Sequence, residues 1–165
     1  YRLACNTLVL KLKSDIVTVR PLSHMAILKD LVVDMKPFWE NYEHIKPYLI
    51  PGKSLPTNGE QIQSPEERTK IDVVIDCILC ACCHSSCPVT ASHEKYLGPM
   101  AFINMSRFLS DTRDSAKEER LAIVNDEYGV WRCHTVFNCQ EACPKDLNPS
   151  GSIANLKMEI VKNKI

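Results

Sequence analysis

Two short apolar stretches open the chain. Leu8-Val-Leu-Lys-Leu12 and Ile16-Val-Thr-Val19 are partly alternating and rich in β-branched residues, which predicts two strands. Two strands alone do not make a stable sheet, so this stretch reads as the end of a larger β-rich unit. From Ile27 to Met35 the pattern is strongly apolar with interspersed charge, and Pro37 follows. The aromatics Phe38, Trp39 and Tyr42 fall on one side of a helix ending before Pro47, where core packing accounts for them. Residues 51–63 are polar and rich in helix breakers, as a linker or surface loop would be. Ser64-Pro65-Glu66-Glu67 then supplies a cap, a proline at the first helical position and a glutamate three residues after the cap. A helix is expected to run from there into Cys77. Amphipathic helices are predicted from Pro99 to about Leu109 and from Ser115 to Asn125, the second opening on a capping box of Ser115 and Glu118. Pro149 begins a last helix that places Ile153, Leu156, Ile160 and Val161 on one buried face.

Composition narrows the classes. The chain has 165 residues, enough for one domain or two small ones, and twenty acidic residues balance twenty basic ones. The basic residues are scattered, so the electrostatic footprint of a nucleic-acid partner is missing. No apolar run approaches the roughly eighteen residues of a membrane span, because Asp76 interrupts the longest candidate. The sequence has no initiator methionine and no targeting segment, which suggests a start that is processed or cut from something longer.

The cysteines change the picture most. Cys77-x2-Cys80-x2-Cys83-x3-Cys87-Pro88 is the iron-sulfur run of bacterial-type ferredoxins. A second run, Cys133 to Cys139 to Cys143-Pro144, repeats it with Val136 where the second cysteine would stand. In two-cluster ferredoxins the fourth cysteine of each run serves the other run's cluster. By that rule Cys77, Cys80, Cys83 and Cys143 make four thiolates for a 4Fe-4S cluster. Cys87, Cys133 and Cys139 make three, and valine cannot ligate iron, so the second cluster is expected to be 3Fe-4S. Cys82 belongs to neither spacing and reads as a small buried residue. Nine cysteines, an odd number and closely spaced, suit metal ligation better than a disulfide framework. The expected fold class is therefore mainly α, a helical two-cluster domain like the bacterial ferredoxins, preceded by the end of a larger β-rich unit, which the resemblance below implies to be a remnant of a 2Fe-2S ferredoxin domain. Prolines 88 and 144 turn the chain after each run, and cluster binding contributes much of the folding free energy of so small a domain.

Further motifs point to a family. Tyr96-Leu-Gly-Pro, Arg107-Phe-Leu-Ser-Asp-Thr-Arg-Asp, Glu119-Arg-Leu, Arg132-Cys-His-Thr and Asn138-Cys through Cys143-Pro-Lys, with Ile45-Lys-Pro-Tyr-Leu and Lys29-Asp-Leu-Val-Val-Asp-Met, are all present. Together with the first cysteine run they resemble the iron-sulfur subunit of succinate dehydrogenase, respiratory complex II, over nearly the whole chain. That resemblance implies a subunit with an N-terminal 2Fe-2S ferredoxin-like domain and a C-terminal helical domain holding 4Fe-4S and 3Fe-4S clusters. Residues 1–36 then correspond to the end of the first domain, 37–63 to a helix and linker, and 64–165 to the second domain. Cys5 matches the fourth ligand of the 2Fe-2S cluster, whose other ligands lie either upstream or on a separate N-terminal ferredoxin half; read alone, Cys5 is a core thiol.

The resemblance also implies partners: a flavoprotein subunit carrying FAD, membrane anchor subunits, and ubiquinone bound beside the 3Fe-4S cluster. Pro88 and His134 match positions lining the quinone site. Where the family has paired tryptophans after Cys87, this chain has Ala91 and Ser92, and Ser92 is the candidate replacement donor. The implied location is peripheral, on the matrix side of the mitochondrial inner membrane or the cytoplasmic side of a bacterial one. Fumarate reductase shares both runs, but Cys80-Ala-Cys82-Cys83 and Arg132-Cys-His134 favour the dehydrogenase. A free ferredoxin-like carrier is the nearest rival outside the family; the long helical insert and the incomplete β segment weigh against it. A zinc adaptor fits the second run's spacing poorly. A Cys nucleophile paired with His134 is disfavoured because clustered thiolates prefer metal, and Asn104-Met-Ser lies in a predicted helix rather than a glycosylated loop.

Overall fold

The computed structural model describes residues 1–52 and 59–163. Its helices are α1 (Lys36–His44), α2 (Pro65–Asp72), α3 (Cys82–Ser85), α4 (Pro88–Ser92), α5 (Gly98–Ser110), α6 (Lys117–Val124), α7 (Asn138–Glu141) and α8 (Pro149–Asn163). The described strands are β1 (Ile27–Lys29) and β2 (Val32–Val33), an antiparallel hairpin turning through Asp30 at φ 51°.

The core is built on α5. Nine of its thirteen residues are buried, including the unbroken run Met100 to Met105, so this helix is apolar on every side and lies inside the molecule. Its longest packing seam is with α8, which contributes Ile153, Leu156 and Ile160. Gly98 begins α5 at φ 86°, and a Cβ there would stand 3.1 Å from His84 Nδ1, so glycine serves both the backbone angle and the close approach of α3. The box expected at Ser64 is present. Ser64 Oγ accepts from Glu67 N–H at 3.2 Å, and Glu67 Oε2 accepts from Ser64 N–H at 2.9 Å. The helix stops at Asp72, and a 3-10 turn, Val74–Asp76, delivers the chain to Cys77.

Four expectations are corrected. The stretch from Leu8 to Leu12 holds a 3-10 turn, Val9–Leu12, and residues 16–19 form no strand. Their β-branched composition favours an extended chain, but a strand needs a partner, and among the described residues no strand pairs with them. Leu8, Val9, Leu10, Ile16 and Val19 are consequently exposed. Ser115 does not cap α6. Asp114 Oδ1 accepts from Ala116 N–H at 3.0 Å, while Ser115 Oγ donates to Ile50 O at 3.1 Å. Val161 faces away from the buried stripe of α8 and is exposed. The aromatics of α1 do not share one environment: Phe38 is buried and Trp39 is exposed. Of the expected loop at 51–63, residues 53–58 lie outside the described residues.

Asp114 rather than Ser115 engages Ala116, the residue at the N-cap of α6, because its carboxylate is already held. Arg120 is fully buried and uses its whole guanidinium: Nε and Nη2 donate to Asp114 at 3.0 and 2.7 Å, Nη1 to the carbonyls of Ile45 and Lys46, and Nη2 to that of Tyr48. Its plane lies 4.5 Å from the ring centroid of Phe108 in α5. Asp114 also accepts from Ile50 N–H at 3.0 Å. One ion pair thus clamps the segment after α1 to α5 and α6. Burial works against the Asp114 carboxylate, but the guanidinium and the two backbone N–H groups hold its pKa below the ordinary value. Its contribution to stability is therefore complete above an unfolded-chain pKa of about 3.9 and is lost as pH falls through the folded value. Asp114→Asn leaves Arg120 buried without its counter-charge, and a loss of about 3–5 kcal/mol is expected in denaturant unfolding. A variant within about 0.5 kcal/mol of the parent would show the clamp to be dispensable.

Candidate cluster sites

Both cysteine runs fold into the same loop. Leu79 and Ala81 in the first run take φ of 55° and 60°, and the matching Thr135 and Phe137 in the second take 56° and 67°. Each run then enters a one-turn helix, α3 or α7, from a left-handed residue. These left-handed positions turn backbone N–H groups inward, the geometry of an anion-binding nest. The Leu79 N–H is directed at Cys77 and the Thr135 N–H at Cys133 Sγ, the latter at 3.4 Å. The loops are tied together across the repeat, where Asn138 Nδ2 donates to Ser86 O at 3.2 Å. From α8, Lys157 Nζ donates to Cys133 O at 3.1 Å and holds the second loop against the core.

Two hollows result. The first is lined by Cys77, Cys80, Cys83 and Cys143, with Met100 and Ile103 of α5 as part of its apolar wall. The second is lined by Cys87, Cys133 and Cys139, with Tyr96, Pro99 and Ile153 behind them. The fourth cysteine of each run therefore stands among the thiols of the other run, as the ferredoxin rule anticipates. Val136 lines the second hollow from the place that Cys80 holds in the first.

Pro88 and His134 also line the second hollow, whereas Ser92 does not: its hydroxyl is exposed and donates to the Pro88 and Val89 carbonyls within α4, at 3.2 Å each. Cys82 lies outside both hollows, buried at the start of α3, where burial and then Cys80 push its pKa up to about 11. Cys5 is exposed, in the 3-10 turn Ala4–Asn6, rather than a core thiol.

The donor set suits a cluster. Burial pushes the Cys77 and Cys83 thiols up, and it pushes Cys139 to about 11, with neighbouring thiols adding to the effect. Thiolates crowded into an apolar wall need a compensating cation, which iron supplies. Among the described residues no three Cys, His, Asp or Glu side chains converge as a single-ion site requires. Asn104, on α5 and 5% exposed, brings its Nδ2 to 3.6 Å from Cys77 Sγ. Neither Asn104 nor Tyr96 carries a spacing signal relative to the cysteines, and only the packing of α5 reveals them.

Paired cysteine loops crossing between two hollows define an iron-sulfur protein of the two-cluster ferredoxin class. Residues 73–147 match a 4Fe-4S dicluster domain and residues 1–40 a 2Fe-2S iron-sulfur cluster binding domain. The chain is 45% identical over 161 residues to the succinate dehydrogenase iron-sulfur subunit of Coxiella burnetii, covering 97% of this chain and 68% of that protein. It is 44% identical over 157 residues to the mitochondrial succinate dehydrogenase [ubiquinone] iron-sulfur subunit 1 of Oryza sativa, with 94% and 56% covered. For the mitochondrial subunit of Dictyostelium discoideum the identity is 43% over 169 residues, with 98% and 59% covered. A chain of the Mycobacterium smegmatis Sdh1 complex in the apo form superposes with a TM-score of 0.87 at 26% identity, over 99% of this chain and 69% of that one. This chain belongs to the succinate dehydrogenase iron-sulfur subunit family, and spans 56–68% of the length of these curated relatives.

The position of Cys82 makes a direct test. Cys82→Ala is expected to leave the iron content of the purified chain unchanged, whereas Cys80→Ala lowers it. Equal iron loss in the two variants would contradict the arrangement of the first hollow.

Proposed function

We propose that the chain is the electron-transfer subunit of a succinate:ubiquinone oxidoreductase, standing between a flavoprotein subunit that holds FAD and membrane anchor subunits at which ubiquinone is reduced. The observation that carries this reading is the division of seven thiols into four and three around two hollows, with Val136 in the eighth place, in a chain of this family. Cys77, Cys80, Cys83 and Cys143 hold a 4Fe-4S cluster, and Cys87, Cys133 and Cys139 hold a 3Fe-4S cluster. When bound, the clusters supply one-electron carriers and make or break no substrate bond. The chain's residues fix cluster type by ligand count, exclude water with the apolar walls from α5 and α8, and direct the Leu79, Thr135 and Asn104 N–H groups at sulfur.

The second hollow is the quinone side. Pro88 and His134 stand on its lining with the exposed Val136 and Phe137, an apolar surface of the kind that marks an interface. Ser92 has already donated its proton to α4 carbonyls, so His134 is this chain's polar contact to the quinone. No described helix is long and apolar enough to cross a membrane, and anchor subunits hold the complex to the matrix side of the mitochondrial inner membrane or the cytoplasmic side of a bacterial one.

Residues 1–36 are the C-terminal part of a 2Fe-2S domain in which Cys5 is the fourth ligand. Residues 37–63 connect it to the two-cluster domain of residues 64–165. The exposed Leu8, Val9, Leu10, Ile16 and Val19 are the face that the rest of the first domain covers, whether from upstream residues or from a separate N-terminal ferredoxin half.

Low-temperature electron paramagnetic resonance of the assembled complex tests the ligand counts. A 3Fe-4S signal is expected in the oxidised state and a 4Fe-4S signal on reduction. Val136→Cys supplies the eighth thiol, so the oxidised-state 3Fe-4S signal disappears and iron content rises by about one atom per chain. Zinc in place of iron, with silence in both states, would overturn the function. Cys5→Ser is expected to abolish or alter the 2Fe-2S signal, and an unchanged signal would remove Cys5 from that cluster.

A further inference from the structure

Six buried side-chain polar atoms have no hydrogen-bond partner among the described residues, and of these only the Tyr96 hydroxyl belongs to a residue lining either hollow. Tyr96 is 1% exposed and sits just ahead of α5. Its ring packs on Phe102 at 5.6 Å between centroids, its N–H donates to His93 O at 3.1 Å, and its carbonyl accepts from Asn41 Nδ2 at 3.3 Å. Backbone and ring are thus held from three sides, and Tyr96 belongs to the wall beside Cys87, Cys133 and Cys139.

A buried phenol left without an acceptor is costly, and native structures rarely leave one so. A tyrosine hydroxyl keeps its proton at neutral pH, so it has a hydrogen bond to donate. The acceptors in reach of this wall are sulfur atoms that become negative when iron binds. The first hollow already shows the same arrangement, with Asn104 of α5 donating to Cys77 Sγ.

We infer that Tyr96 is a positioning and tuning residue of the three-thiol site, donating a hydrogen bond from its hydroxyl to Cys133 Sγ when the cluster is bound and thereby raising the cluster's reduction potential. The added electron makes the sulfur more negative, and a donor fixed beside it stabilises the reduced state more than the oxidised one. This rests on the proposed 3Fe-4S assignment of that site.

The test is a redox titration of the oxidised-state 3Fe-4S signal in the assembled complex, comparing the parent with Tyr96→Phe. The variant keeps the ring and loses only the donor. The expected result is the same iron content and the same signal intensity when fully oxidised, with the midpoint displaced to lower potential. Site-specific replacement of Tyr96 by 3-fluorotyrosine, a more acidic donor of nearly the same volume, is expected to displace it upward. It provides the test if the phenylalanine variant fails to assemble. An unmoved midpoint in either assembled variant, beside a normal parent signal, overturns the role of Tyr96 alone. A parent complex with no 3Fe-4S signal overturns the cluster assignment and this inference with it.

Discussion

The Arg120–Asp114 pair is the contact on which the rest of the domain hangs. Three carbonyls after α1, the Asp114 carboxylate ahead of α6 and the face of Phe108 in α5 all meet one fully desolvated guanidinium. A buried ion pair contributes little net stability compared with a well-packed apolar alternative, but it is unforgiving of error, because every donor must find its acceptor or the charge stays uncompensated. What it supplies here is position. α5 is the wall that both hollows share, with Pro99 facing the second and Met100 and Ile103 the first, so a shift of that helix would move both sets of thiols at once.

On that frame the two cysteine loops form an internal repeat whose symmetry is in the backbone. Left-handed residues recur at matching places although Leu79 and Ala81 share no chemistry with Thr135 and Phe137. None of the four is glycine, and left-handed backbone in such residues costs energy that the surrounding structure must offset. The common feature is the inward aim of the N–H groups, which makes sulfur the natural occupant of the loop's interior. The exchange of Cys80 for Val136 changes which atoms the loop offers while leaving the loop itself alone.

Much of this could be read from residue spacing, because ligand spacing and reciprocal caps are local. The crossover of Cys87 and Cys143, the box at Ser64 and the start of α8 at Pro149 each depend on a few neighbouring residues or on one general rule. Where the reading failed, distant groups decided. Ser115 and Glu118 form a plausible cap, but Asp114 was already oriented by Arg120 and by the Ile50 N–H from far along the chain. The β-branched residues near the start have the composition of strands without an edge to join. Ser92 has the right chemistry for a donor, yet α4 turns its hydroxyl back onto the helix's own carbonyls. Tyr96 and Asn104 were invisible as tuning groups because an ordinary core tyrosine and a mid-helix asparagine look the same in a sequence.

The uncovered stretch near the start bears on how the cell handles the chain. Leu10 is 98% exposed, and the three residues of the short strand β1 are exposed as well. Such a surface attracts chaperones, other copies and proteases with equal ease. Whatever packs on this surface in the folded protein therefore also shields the chain from those encounters.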